Sequence, residues 1–458
     1  MLVICLTGCA TPKSGSGTSK QTSQTASAPI AEDAETIAAE LAHGDAWITN
    51  RAAVLGILLV ILAVIFRTSS SDNPRWKKFY GIVPSILLCY FIPGVLGTFG
   101  IIGDPGGDLY FVASRFLLPT CLVLLCLAID LPGIFRLGPK LLIIFFTATA
   151  GIILGGPFAI WVVSLFQPDV VGGEGAEATW RGLSTVAGSW IGGGANMAAM
   201  KEIFLPSEKL FAAMITVDVI VANIWMGFML WMAGRSAMFD RWLKADRTAL
   251  DDLQTRVDAM YGNKSRIPST ADLMTICAVG FAATGIAFVS AEAIGPWFEA
   301  NAPWSARFSL TSMFFWLIVI ATTIGLLLSC LSSARKLEHV GASKIASVFL
   351  YMLVAVIGLE MDLTAIATYK WLFVVGLIWM GFQGTLLFIV AKAIRAPSFF
   401  IAVGSQANIG GAASAPIVAA AFNPRLAPVG VLLAVLGYAV GTYGAWLCTM
   451  LMQYMSSG

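Results

Sequence analysis

The sequence is short of charge. Of 458 residues, 12% are Asp, Glu, Lys or Arg, about half the roughly 25% of an average soluble domain. That deficit excludes one large soluble fold. The balance of 28 basic against 26 acidic residues leaves a net charge of +2, which offers nucleic acid no basic face. Histidine is almost missing. His43 and His339 are the two, both in polar stretches, so a zinc or haem site lacks ligands and no metal site is expected. The eight cysteines show no C-x-x-C pair, and six lie in apolar segments, where cysteine behaves as a small hydrophobe. What is plentiful is apolar side chain: 58% of residues are hydrophobic and mean hydropathy is +0.82. A bilayer has room for that excess, and the chain reads as an all-α polytopic membrane protein.

Residues 1–45 read as a disordered tail. Leu6-Thr7-Gly8-Cys9 resembles the bacterial lipobox, with Cys9 the lipidated residue. The basic n-region and long apolar run of a signal peptide are missing, so a truncated signal and a chance match both stay open. Residues 10–29 are rich in Ser, Thr, Gln and Ala and read as disordered.

Twelve hydrophobic segments follow, near 50–66, 79–102, 110–131, 139–166, 182–203, 207–233, 270–294, 309–331, 343–361, 368–394, 398–422 and 426–454. Most reach the ~20 residues of a span. The polar insert 234–269 divides them six and six. Lys and Arg in short loops orient the chain. Arg67, Arg75, Lys77 and Lys78 put the first loop inside, and Arg136 with Lys140 put the third inside. Parity then becomes informative. If segment five crosses, the seven basic residues of 234–269 face outside, against the rule. If it enters and returns, that insert is a cytoplasmic linker. Segment eleven treated the same way puts Arg425 inside. The expectation is two inverted repeats of about five spans each, 46–233 and 270–458, each with a broken or re-entrant glycine-rich helix, as in secondary transporters.

An internal repeat supports this. Gly188-Ser189-Trp190-Ile191-Gly192-Gly193-Gly194-Ala195-Asn196 in segment five parallels Gly404-Ser405-Gln406-Ala407-Asn408-Ile409-Gly410-Gly411-Ala412 in segment eleven. Ile129-Asp130-Leu131 parallels Met361-Asp362-Leu363, with Lys140 and Lys370 following. Shared order along both halves points to duplication. Gly, Ser and Asn inside apolar segments weaken helix, and a broken helix survives at membrane depth only inside protein or along a wet cavity. The expected substrate-binding residues are therefore Ser189, Gly193, Gly194, Asn196, Ser405, Gln406, Asn408, Gly410 and Gly411. Close helix packing through small residues explains the glycines and leaves the amides unexplained. Asp218, central in segment six, is costly in a bilayer. It either coordinates Na⁺ with Asn223, carries a coupling proton, or ties two helices as a neutral hydrogen-bonded group. Arg115 reads equally as a carboxylate ligand or as a side chain snorkelling to the interface.

These residues, with Ala222-Asn223-Ile224-Trp225, Thr68-Ser69-Ser70-Ser71 and Trp76-Lys77-Lys78-Phe79-Tyr80, resemble the YjcL-like membrane protein family (domain of unknown function 819) over roughly 45–455. The N-terminal 45 residues depart from its pattern. The resemblance implies kinship with the cation:proton antiporter and anion transporter clan. It also implies a core that moves against a panel in an elevator-like way.

The expected function is secondary active transport of a small organic solute coupled to Na⁺ or H⁺. The solute reads as anionic, from an amino acid or peptide. The protein would sit in a bacterial inner membrane, with the solute, the bilayer and a second copy of the chain as partners and no cofactor beyond coupling Na⁺. A cation:proton antiporter is the alternative. An intramembrane enzyme would need a nucleophile–base pair or metal ligands at depth. With no histidine in any span, the chain is not read as an enzyme.

Overall fold

The computed structural model describes residues 46–80, 83, 85–104, 107–246, 250, 253, 267–361, 369, 371–423 and 426–456. Cys9 and the rest of the 1–45 tail lie outside them. So do Pro84, Arg247, Arg256, Lys264, Arg266, Asp362, Lys370 and Arg425.

The described residues are helical, and their one extended pairing is an isolated bridge between Ile48 and Ile102. The first half carries α1 (Arg51–Ser69), α2 (Pro74–Tyr80), α3 (Ser85–Thr98), α4 (Asp108–Leu127), α5 (Leu131–Arg136), α6 (Pro139–Ser164), α7 (Thr179–Phe204), α8 (Glu208–Ala233) and α9 (Ser236–Leu243). The second carries α10 (Thr270–Asn301), α11 (Met313–Ser329), α12 (Ala342–Leu359), α13 (Leu372–Ala393), α14 (Ser398–Ile409), α15 (Gly411–Phe422) and α16 (Ala427–Ser456). Among the described residues, eight helices are long and apolar enough to cross a bilayer, or up to ten if each of two sharply bent pairs is one span.

Helix starts follow the side chains available to cap them. Asn50 accepts from the Ala53 N–H at 3.1 Å, Ser207 from Leu210 at 3.1 Å, and Ser312 from Phe315 at 3.2 Å. Ser269 and Asp272 form a reciprocal capping box at α10. Each satisfies a backbone donor that the first helical turn leaves free. Within α4 the backbone widens into a π-turn over Ala113–Leu117. Pro119 has no N–H to give the Arg115 carbonyl, and the Leu118 N–H reaches back to Ala113 instead.

Two helices reverse direction. In α7 the backbone leaves helical geometry at Gly192 and Gly193, the latter at φ +72°, a left-handed conformation that favours glycine. The chain then folds back. Arg181 near the start of α7 donates to the Phe204 carbonyl at its end, and the Trp180 and Phe204 rings lie 5.9 Å apart. A straight helix would separate those rings by about 36 Å. The second reversal runs from α14 into α15 through Gly410 and Gly411, with Gly411 at φ +56°. Its ends also meet, with the Phe399 and Phe422 rings 5.5 Å apart.

The reversals open at different ends of the bundle. The α7 ends sit with Gly172 and Ala176, through Thr179 N–H to Gly172 O at 3.0 Å and Ser207 N–H to Ala176 O at 2.9 Å. Ser456, at the end of α16, joins that end by bonding Val171 O at 3.2 Å. The start of α14 sits at the other end, where Asp240 accepts from the Ser398 N–H at 2.9 Å and its hydroxyl at 2.7 Å. Lys140 pairs with Asp246 there at 2.8 Å. α6 and α16 run between the two ends and pack on each other, on α7 and on α14.

Candidate functional site

The tips of the two reversals meet at α16. A Cβ on Gly437 would lie 3.0 Å from the Ile191 carbonyl and 3.3 Å from the Ala407 carbonyl, so one glycine of α16 touches the entering arm of each hairpin. The next residue, Tyr438, sits between the tips. A Cβ on Gly193 would lie 3.3 Å from the Tyr438 ring, and one on Gly411 would lie 3.8 Å from its hydroxyl. The Ala412 backbone lies beside that hydroxyl. Glycine at 437 lets the α16 backbone come this close to the carbonyls of both hairpins.

The buried amides hold the tips. Asn196, 0% exposed, donates to Gly192 O at 3.0 Å and Tyr438 O at 3.1 Å, and accepts from Thr442 at 2.6 Å. Asn408 donates to Gly404 O at 3.1 Å and Phe145 O at 3.3 Å, and accepts from Thr149 at 2.9 Å. Asn196 follows its break and ties it to α16, whereas Asn408 precedes its break and ties it to α6. Gln406 donates to Ser414 Oγ at 2.8 Å, bridging the arms of the second hairpin. Gly410 faces the same Ser414 hydroxyl, and Gly194 faces Ile86 of α3.

The two motif serines both reach α8. Ser189 donates to Asp218 at 2.8 Å. Ser405 accepts from the Trp225 indole at 2.8 Å and from Gln383 at 2.9 Å. Asp218 and Trp225 are seven residues apart, two helical turns, and so share one face. One helix thus holds one polar side chain of each hairpin. The Asn223 amide N–H bonds Val219 O of its own helix at 2.7 Å.

A charged cluster unforeseen from the sequence lies where the returning arm of α7 meets α4. Glu202 accepts from Tyr110 and pairs with Arg115 at 3.2 Å. Lys201 bonds Tyr110 at 2.9 Å and pairs with Glu208 at 2.8 Å. The side chains of Lys201 and Glu202 are 4% and 3% exposed, burial that charged groups tolerate only when paired. Arg115 is therefore engaged by an internal carboxylate and by the Phe314 ring at 4.5 Å. Lys201-Glu202 at the edge of an apolar segment was the available signal, but only folding the arm onto α4 supplies the partners.

A family model described as a protein of unknown function (DUF819) matches residues 56–455. The chain is also 24% identical over 363 residues to the uncharacterized membrane protein YjcL of Bacillus subtilis (strain 168), a match that covers 75% of this chain and 84% of that protein.

Proposed function

The chain belongs to the DUF819 family of membrane proteins, and from that premise we propose that it is a secondary active transporter working by alternating access. Its two halves act as inverted repeats, and the two hairpins act as re-entrant elements that enter the bilayer from opposite sides. The observation that carries this reading is the meeting of both glycine tips at Gly437 and Tyr438 of α16. Broken helices at depth are stable only in protein or along a polar path, and paired breaks of this kind are where secondary transporters place substrate and ion. Helix N-termini after Gly193 and Gly411 suit a carboxylate. The carbonyls of Ile191 and Ala407 suit Na⁺.

In this reading the solute is a small organic anion of the amino-acid or peptide class, held between the tips near Gly193, Asn196, Gln406 and Gly411. Asp218, bonded to Ser189, couples the ion. The end holding Lys140 and Arg395 faces the cytoplasm of a bacterial inner membrane. The working unit is a homodimer without catalytic activity.

The test is uptake into proteoliposomes of radiolabelled amino acids, dipeptides and small dicarboxylates under imposed Na⁺ or pH gradients. Uptake driven by one gradient is expected, with Asp218→Asn losing the gradient dependence. If no solute is taken up, and Na⁺ or K⁺ pulses instead collapse a pH gradient, the protein is a cation:proton antiporter and the solute reading fails.

A further inference from the structure

On the outer face of the bundle a groove runs between α8 and α13. Its wider part, of about 550 Å³, is lined by Trp225, Trp242, Phe388, Gly384 and Lys392. A continuation of about 330 Å³ shares Trp225, Phe228 and Gly381 with it and reaches Ile224 and Leu377. From Lys392 to Leu377 is 15 residues of one helix, about 22 Å, which is the ~20–22 Å depth of one leaflet with its headgroup layer. The walls are aromatic and aliphatic, and Lys392 stands at one mouth, 4.3 Å from the centre of the Trp242 ring. That mouth is the basic end of the bundle, with Arg235 over Trp231 at 4.8 Å. Among the described residues, Asp240 bonds Ser398 and Asp246 pairs with Lys140.

The floor of the groove is also part of the hairpin site. Trp225 shows its ring to the groove and gives its indole N–H to Ser405 of the second hairpin at 2.8 Å. Gly384 makes this placement possible, because a Cβ there would lie 2.7 Å from the Trp225 ring. A Cβ on Gly381, by contrast, meets nothing within 4 Å, so the middle of the groove is open.

We propose that the groove between α8 and α13 seats an anionic phospholipid, with an acyl chain along Trp225, Phe228 and Gly381 and its phosphate at Lys392, and that occupancy steadies the second hairpin through Trp225–Ser405. The one-leaflet depth, the apolar walls and Lys392 in the lining at the headgroup end match that ligand. A free organic anion would not use the walls, and a zwitterionic lipid brings its own headgroup cation to offset its phosphate, which weakens the gain from the lysine. The lipid seat does not rest on the transport reading, and each readout below works without a solute.

The full-length protein, purified and stripped of lipid in detergent, is titrated with phosphatidylglycerol or with phosphatidylcholine of the same chains. Phosphatidylglycerol is expected to raise the melting temperature and to slow backbone hydrogen exchange in 398–422, while phosphatidylcholine does neither at equal concentration. Lys392→Gln should weaken the phosphatidylglycerol response about fivefold, the effect of one basic residue at a lipid surface. Gly381→Leu projects into the groove from a Cβ that meets nothing within 4 Å and should abolish the response in a protein that still folds. Trp225→Phe should keep the thermal shift and lose the protection of 398–422.

Equal shifts from both lipids, or an unchanged response in Gly381→Leu, would overturn the proposal. So would a Gly381→Leu protein that turns from dimer to monomer, since the groove would then belong to a second copy. Protection of 398–422 that survives Trp225→Phe would overturn its hairpin half.

Discussion

Adding one methyl group at Gly188 should distinguish a folded-back α7 from a straight one. A Cβ there would sit 2.5 Å from the Asn196 carbonyl oxygen, 2.8 Å from its carbon and 2.9 Å from the Met197 nitrogen. All three are backbone atoms and cannot rotate away. To reach an ordinary contact of about 3.5 Å, the two arms must part by roughly 1 Å. Overpacking of this kind costs about 1–3 kcal/mol, and fixed backbone on the far side places Gly188→Ala near the upper end. Alanine returns about 1 kcal/mol of helix propensity, for a net loss of about 2 kcal/mol. Gly227→Ala in α8 is the control. Its Cβ meets nothing within 4 Å, so it should gain about 1 kcal/mol. Reversible unfolding in mixed micelles of dodecyl maltoside and SDS measures both. In a straight helix, residues 188 and 196 stand about 12 Å apart and the two alanines would behave alike. Equal stability of the two variants would therefore refute the reversal at Gly192–Gly193.

Three further outcomes follow from the same geometry. Glu202→Gln leaves the half-buried Arg115 facing a neutral amide, and it should destabilise the protein by about 2 kcal/mol, less than the ~3–5 of a fully buried pair. The double variant with Arg115→Gln should lose less than the sum of the singles; strictly additive losses in micelle unfolding would deny the pair. In the segment before α4, burial first and then the charge of Glu360 push the Asp104 carboxyl up to about 6, against the pull of its bond from the Leu109 N–H. Since the folded state holds this proton more tightly, its contribution is full below 3.8 and is lost as pH rises to about 6. Melting temperatures across that window should fall for the wild type and fall less for Asp104→Asn; matching slopes would remove Asp104 as the source. Finally, Tyr438→Phe keeps the ring between the tips but drops the hydroxyl that meets Ala412. Hydrogen exchange in 410–415 should then quicken while 190–196 is unaffected, and faster exchange in both hairpins would mean that the ring had moved.

Where the chain breaks was legible before its fold was known. Gly192-Gly193 and Gly410-Gly411 are the positions at which a backbone can turn left-handed, and both pairs do break helix. Asp218 was legible for a related reason, because an acid amid apolar residues needs a partner, and Ser189 provides it. Asn223, five residues along the same helix, gives its amide N–H to the Val219 carbonyl.

Composition and periodicity determined the solvent, the helical class and the two weak points, because each follows from what a single residue costs in lipid or in a helix. The convergence on Tyr438, the capture of both motif serines by α8 and the burial of Lys201 and Glu202 against α4 were decided by the tertiary structure alone. Each joins residues far apart in the chain, and their energies exist only once two hairpins and the helices around them share one space. Local cost is written residue by residue, whereas partnership depends on which backbones glycine allows to touch.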